Sequence, residues 1–167
     1  MKHIQSAVDS LVEQAVEFVI VGGVAIIAHG VPYATFDLDF CYARTPENLK
    51  KIVAALKDFS PRLRDFPKDL PFVWDERTLQ NGTNFTLETS IGDIDLLGEV
   101  AGVGSYKDIL ENSILMKLFN YEVHVLSLND LIKAKKAAGR PKDLFVLPQL
   151  ETLQEALSKK TDEELFQ

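Results

Sequence analysis

Carboxylates stand at alternate positions in two short apolar segments, Phe36-Asp37-Leu38-Asp39-Phe40 and Asp93-Ile94-Asp95-Leu96-Leu97. Successive side chains of a strand point to opposite faces, so this pattern predicts two strands, each with an apolar face for a core and an acidic face for something else. On a strand spanning Thr35 to Tyr42, Asp37 and Asp39 share a face, about 7 Å apart. The neighbours Phe36, Leu38 and Phe40 mark that strand as largely buried. Two unpaired carboxylates there repel each other and lose hydration, at a cost on the order of several kcal/mol. A hard divalent cation, Mg²⁺ or Mn²⁺, removes the conflict and leaves coordination positions open to phosphate oxygens. The plainer alternative is that one aspartate caps a turn while the other is solvated. If the second segment neighbours the first, up to four carboxylates face one spot. Asp93 follows Gly92 and fits a turn as readily as a strand, so Asp95 is preferred as the third ligand.

The remaining pattern supplies a frame for these strands. Ile4, Val8, Leu11, Val12 and Ala15 recur at helical spacing, which predicts an amphipathic first helix. The β-branched run Phe18–Val21 stops at Gly22 and Gly23, and a short helix follows over Val24–His29. Backbone amides at a helix start favour phosphate, so Gly22 and Gly23 are candidate nucleotide-binding positions, a tight turn without a ligand being the alternative. Neither a Gly-x-Gly-x-x-Gly fingerprint nor a Gly-Lys-Ser/Thr loop is present. Thr45 and Pro46 read as N-cap and first position of a helix carrying Leu49, Ile52, Val53 and Leu56. Pro61–Gln80 reads as an irregular connection with one short strand around Phe72–Trp74. Asn84–Ser90 and Asp93–Leu97 read as paired strands, Glu122–Leu126 as a later one, and Leu128–Ala138 and Pro141–Leu157 as helices. Residues 158–167 read as a frayed polar tail.

With 167 residues, 46% of them apolar, the chain has material for one domain with one sizeable core. A formal charge of -7 argues against a surface that coats nucleic acid. The lone Cys41 excludes an internal disulfide and a thiolate-rich metal site, which fits the cytoplasm. The longest apolar stretch, Phe18–Ala28, is too short for a membrane helix, so no membrane partner is expected. Positive charge concentrates late, at Lys133, Lys135, Lys136, Arg140 and Lys142. Lys135, four residues after Leu131 and three before Ala138, falls on the inward face of its helix and needs a partner, either a triphosphate or one of the acids. Lys133 and Lys136 flank that face, and Lys133, Lys136 and Lys142 are each expected to matter much less than Lys135 and Arg140 for nucleotide binding.

Taken in order, Gly22, Gly23, Ala25, His29, Gly30, Thr35, Asp37 and Asp39 resemble the polymerase-β-like nucleotidyltransferase superfamily. The nearer resemblance is to its AbiEii-like branch, which includes toxins of toxin–antitoxin systems. Asp95 fits the family's third acid, and Leu131, Ile132, Lys135, Ala138, Gly139, Arg140 and Asp143 resemble its late helical motif, so the likeness covers most of the chain. It implies an α/β (α+β) nucleotidyltransferase fold, a small mixed β-sheet flanked by helices. It also implies transfer of a nucleoside monophosphate from a nucleoside triphosphate to a hydroxyl on a protein, an RNA end or a small molecule. In the implied site Asp37 and Asp39 hold Mg²⁺, and Asp95 bridges the metals or acts on the acceptor. Gly22, Gly23, Thr35, Lys135 and Arg140 surround the nucleotide. Tyr33 stands where many relatives carry arginine, Phe36 where a polar residue is common, and Val146 where a second late acid is common. These departures motivate the alternative of a nucleotide-binding or toxin–antitoxin interaction module with little catalysis. A haloacid-dehalogenase-like phosphatase also uses Asp-x-Asp, but Cys41 and the weak strand Ala34–Phe36 disfavour it. No role follows from sequence for Asp93 or Asp143.

Overall fold

The computed structural model describes residues 1–165. In chain order it comprises α1 (Lys2–Glu13), β1 (Phe18–Val21), α2 (Gly22–Ala28), β2 (Leu38–Tyr42), α3 (Pro46–Leu56), β3 (Arg62–Leu63), α4 (Glu76–Gln80), β4 (Asn84–Thr89) and β5 (Gly92–Leu97). It continues through β6 (Glu99–Val100), β7 (Gly104–Ser105), α5 (Tyr106–Asn112), β8 (Ile114–Leu118), β9 (Tyr121–Val125), α6 (Leu128–Ala138) and α7 (Pro141–Leu165).

Seven strands form one mixed sheet in the order β3-β4-β5-β2-β1-β9-β8, and β6 and β7 form a separate hairpin. β2 runs parallel to β5 and β1 parallel to β9, while the other pairs are antiparallel. This is a mixed α/β fold with a sheet flanked by helices. The alternation in β5 sorts its side chains: Ile94 and Leu96 are buried, and Asp93, Asp95 and Leu97 are partly exposed. β2 adds Leu38 and Phe40 to the buried set. That apolar face meets α1, whose Ile4 and Ala7 border Leu38 and Ile94. α1 in turn is tied to α3 by the Ser10 hydroxyl, which donates to the Ala55 carbonyl at 2.6 Å. Each large side chain sealed there contributes roughly 1.5–3 kcal/mol.

Several expectations hold element by element. α3 begins at Pro46 with the Thr45 hydroxyl accepting from the Asn48 amide, and α6 spans Leu128–Ala138 with Ser127 as its cap. Gly139, at φ +62°, supplies the left-handed residue that ends α6, and Pro141 opens α7 at once.

Others are corrected. β2 starts at Leu38, so Thr35, Phe36 and Asp37 belong to the loop before it, and Phe36 is 86% exposed rather than core. Residues 31–36 form an irregular approach to β2, and the apolar character of Phe36 carries no burial with it. No strand forms over Phe72–Trp74. With Pro67 and Pro71 nearby the segment stays irregular, and the Trp74 indole anchors it by donating to the Val53 carbonyl at 3.1 Å. The strand in this region is instead β3, paired with β4 through Arg62 and Leu63. α7 continues past Leu157 to Leu165, since the polar segment after Ser158 contains no glycine or proline to stop it. The stretch between Gly98 and Tyr121, without a distinct signal in sequence, forms β6, β7, α5 and β8. None of the helices described is long and apolar enough to cross a membrane.

Candidate active site

The parallel pairing of β2 and β5 sets Asp39 directly beside Asp95 in register. Both fall on the sheet face opposite Leu38, Phe40, Ile94 and Leu96, so the pleat that buries the core aims these carboxylates the other way. There they line a cavity of about 380 Å³. Asp37, in the loop before β2, lines it too, and so do Gly22, Gly23, Thr35, Lys135 and Arg140. The eight residues singled out in the sequence thus share one cavity.

The two glycines serve this crowding directly. Gly22 has φ +63°, and a Cβ there would collide with the Asp39 carboxylate. A Cβ on Gly23 would fall 2.6 Å from the Thr35 hydroxyl. That hydroxyl donates to the Asp37 carbonyl at 3.2 Å and shapes the loop that presents Asp37. The glycine pair is therefore required by the packing of the acidic loop whether or not phosphate binds.

Electrostatics are uneven across the site. Burial, reinforced by the neighbouring Asp95 and Asp37 carboxylates, pushes Asp39 up to about 6, with Lys135 and Lys142 pulling the other way. No described residue donates a hydrogen bond to its side chain. Asp95 is also raised by burial, though the Arg64 guanidinium opposes this by donating from Nη2 to Oδ1 at 2.9 Å. Among the described residues no three His, Cys, Asp or Glu side chains converge as a ready metal cluster. The hard oxygens of Asp37 and the unpartnered Asp39 suit Mg²⁺ or Mn²⁺, and the bare Gly22 leaves room beneath them. Arg64 occupies Asp95 Oδ1, so Asp95 offers a cation Oδ2 alone while that ion pair holds.

The basic wall differs from the expectation. Lys135 is inward and only 7% exposed, and its partner is Asp143 of α7, with Nζ donating to Oδ1 at 2.9 Å. Arg140 Nε donates to Oδ2 of the same carboxylate at 2.6 Å, and Nη2 to Oδ1 at 3.2 Å. Burial alone would raise the fully enclosed Asp143 carboxyl, but these hydrogen bonds outweigh it and hold the group at about 2. Lys133 and Lys136 are outward, paired with Asp130 and Glu151. Lys142, not expected to matter for nucleotide binding, is exposed yet lines the cavity, and it makes no ion pair with a described residue.

Among the further lining residues, Asn84, Glu99, Val100, Ala101 and Ala134 had no distinct signal in sequence. Leu97, Val100 and Ala101 from β5 and the β6–β7 hairpin face Leu131, Ala134 and Ala138 of α6 and make an apolar flank. Glu99 and Asn84 border it, and Tyr33 closes the other side. A cavity with acids at one wall, cations at another and an apolar flank suits a flat apolar group joined to phosphates.

Comparison with protein-family models and with curated proteins finds no match. Among solved structures the chain is similar to a candidate nucleotidyltransferase from Thermotoga maritima, TM1012, with a TM-score of 0.56 and 18% identity, covering 93% of this chain and 90% of that one. It is also similar to JHP933 from Helicobacter pylori, with a TM-score of 0.47 and 15% identity over 97% of this chain and 74% of that one, a likeness too slight to argue from. At 18% identity the first likeness speaks for the fold alone, and by it the chain has a nucleotidyltransferase-like fold.

Proposed function

We propose that this protein is a divalent-cation-dependent nucleotidyltransferase of the AbiEii-like kind, acting within a toxin–antitoxin system. It would move a nucleoside monophosphate from a nucleoside triphosphate to a hydroxyl on a protein, an RNA end or a small molecule. The observation that carries this reading is the pairing of Asp39 and Asp95 across two parallel strands, with Asp37 beside them, in one cavity with Lys135, Arg140 and Lys142.

Asp37 and Asp39 would hold Mg²⁺ or Mn²⁺, which when bound neutralises charge on the phosphates. The apolar flank receives the base and ribose, and Lys142 meets a phosphate. Lys135 and Arg140, held rigid by Asp143, keep a positive wall beside it. Asp95 takes the proton of the acceptor hydroxyl as its oxygen bonds to the α-phosphorus. The bond from that phosphorus to the bridging oxygen breaks, and pyrophosphate leaves. Most of the acceleration then comes from positioning and from charges already in place.

The pairing of Asp95 with Arg64 supports a second reading, a nucleotide-binding or toxin–antitoxin interaction module in which the third acid is withheld from chemistry. Incubation with α-labelled nucleoside triphosphates, Mn²⁺ and a lysate of protein and RNA separates the two. The first reading expects labelled product and pyrophosphate that vanish in Asp39→Asn and Asp95→Asn. Nucleotide binding with no transfer to any acceptor favours the second.

A further inference from the structure

Arg64 follows β3, where its amide donates to the Thr86 carbonyl at 2.8 Å, and its side chain reaches over β4 to β5. Nη2 donates to Asp95 Oδ1 at 2.9 Å. Nε lies 3.4 Å from Asp93 Oδ2, near enough for charge attraction but without the alignment of a hydrogen bond, and is left buried with no partner. The guanidinium thus makes one hydrogen bond to Asp95 and only a charge contact with Asp93.

Asp93 and Asp95 are two residues apart on β5, on the same face and about 7 Å apart, within the swing of one arginine. A guanidinium fork can bind a carboxylate through two parallel hydrogen bonds, so moving fully onto Asp93 would satisfy the orphaned Nε. A divalent cation at Asp37 and Asp39 supplies the drive. It attracts Asp95, its neighbour in register, and repels Arg64.

We propose that Arg64 is a positioning residue with two stations on β5, paired to Asp95 while the site holds no cation and drawn wholly onto Asp93 when a divalent cation with its nucleotide takes Asp95. This rests on the metal-dependent reading above. Bare metal binds weakly because Arg64 competes with it for the Asp95 carboxylate, and the metal enters effectively with the nucleotide. Asp93 acts as the receiving station for the arginine and not as a metal ligand.

The test is Mn²⁺ binding followed by electron paramagnetic resonance, with Mn²⁺ alone and with Mn²⁺ plus the four nucleoside triphosphates. Arg64→Ala is expected to tighten binding of Mn²⁺ alone by about fivefold or more, since the competing charged hydrogen bond and the repulsion disappear together. Arg64→Lys, which keeps the charge, should stay near wild type. Asp93→Asn should weaken binding, and this effect should vanish in the Arg64→Ala background, because it acts through the arginine. Thermal unfolding identifies any variant that fails to fold, and Arg64→Gln then replaces Arg64→Ala. Unchanged or weaker Mn²⁺ binding in Arg64→Ala, or an equal Asp93→Asn effect in both backgrounds, overturns the proposal while leaving the metal site intact. No Mn²⁺ binding to any of the proteins, even with nucleotides present, overturns the metal-dependent reading and this proposal with it.

Discussion

Lys135 and Lys142 lie seven positions apart in a basic run, and the fold gives them different tasks. Lys135 is buried and bound to Asp143, whereas Lys142 lines the cavity without a described ion partner. A cation with no protein partner has the most to gain from a phosphate, because no existing bond must be broken first. Lys142→Ala is therefore expected to weaken binding of a nucleoside triphosphate by about 1–3 kcal/mol, the range for a hydrogen bond to a charged group. Lys133→Ala and Lys136→Ala, which remove outward cations that do not line the cavity, should change it by less than about 0.5 kcal/mol. Isothermal titration of the three variants checks this, and equal losses would mean a diffuse charge effect. Lys135→Ala loses stability as well as binding, so it separates the readings less cleanly.

The junction of α6 and α7 is an element-scale device. Gly139 turns the chain, Arg140 folds back, and Asp143 receives both Lys135 and Arg140. Its carboxyl is fully enclosed, so removing it strands a buried lysine. Asp143→Ala is expected to cost about 3–5 kcal/mol, and Lys135→Met combined with Asp143→Leu to recover most of that, as buried ion pairs replaced by apolar side chains often do. Denaturant unfolding of the single and double variants tests it. In the folded protein this carboxyl titrates at about 2, depressed below the ordinary aspartate value of 3.8. The native state binds the proton less readily, so the contribution is fully present above about pH 4 and is lost as pH falls through about 2, an amount near 2 kcal/mol. The long α7 illustrates the limit of composition at this scale: its polar second half reads as a tail, yet with no glycine or proline after Pro148 the helix runs on to Leu165.

At the scale of the whole molecule, the acidic centre trades stability for a site. Asp39 is raised to about 6 in the folded protein from 3.8, so between those values the native state holds more protons than the unfolded chain. Stability therefore falls as pH rises from about 4 to above 6. Asp39→Asn, with metal chelated, is expected to gain about 1–3 kcal/mol at pH 8 and almost nothing below pH 4, as read from urea titrations across that range. What the sequence by itself determined is local. Alternating acids in apolar runs marked β5 and most of β2, Thr45-Pro46 and Ser127 marked helix starts, and a lysine on the apolar stripe of α6 marked an inward cation, because side-chain period and capping are properties of neighbouring residues. Tertiary structure decided the rest. The parallel pairing that sets Asp39 beside Asp95 joins distant segments, the loop position of Asp37 and the exposed Phe36 depend on where β2 begins pairing with β5, and Arg64 reaches Asp95 only because β3 closes the sheet edge. Asp143 claims Lys135 and Arg140 through a corner made by Gly139. Each of these depends on which surfaces meet, and residue spacing along a chain carries no record of that.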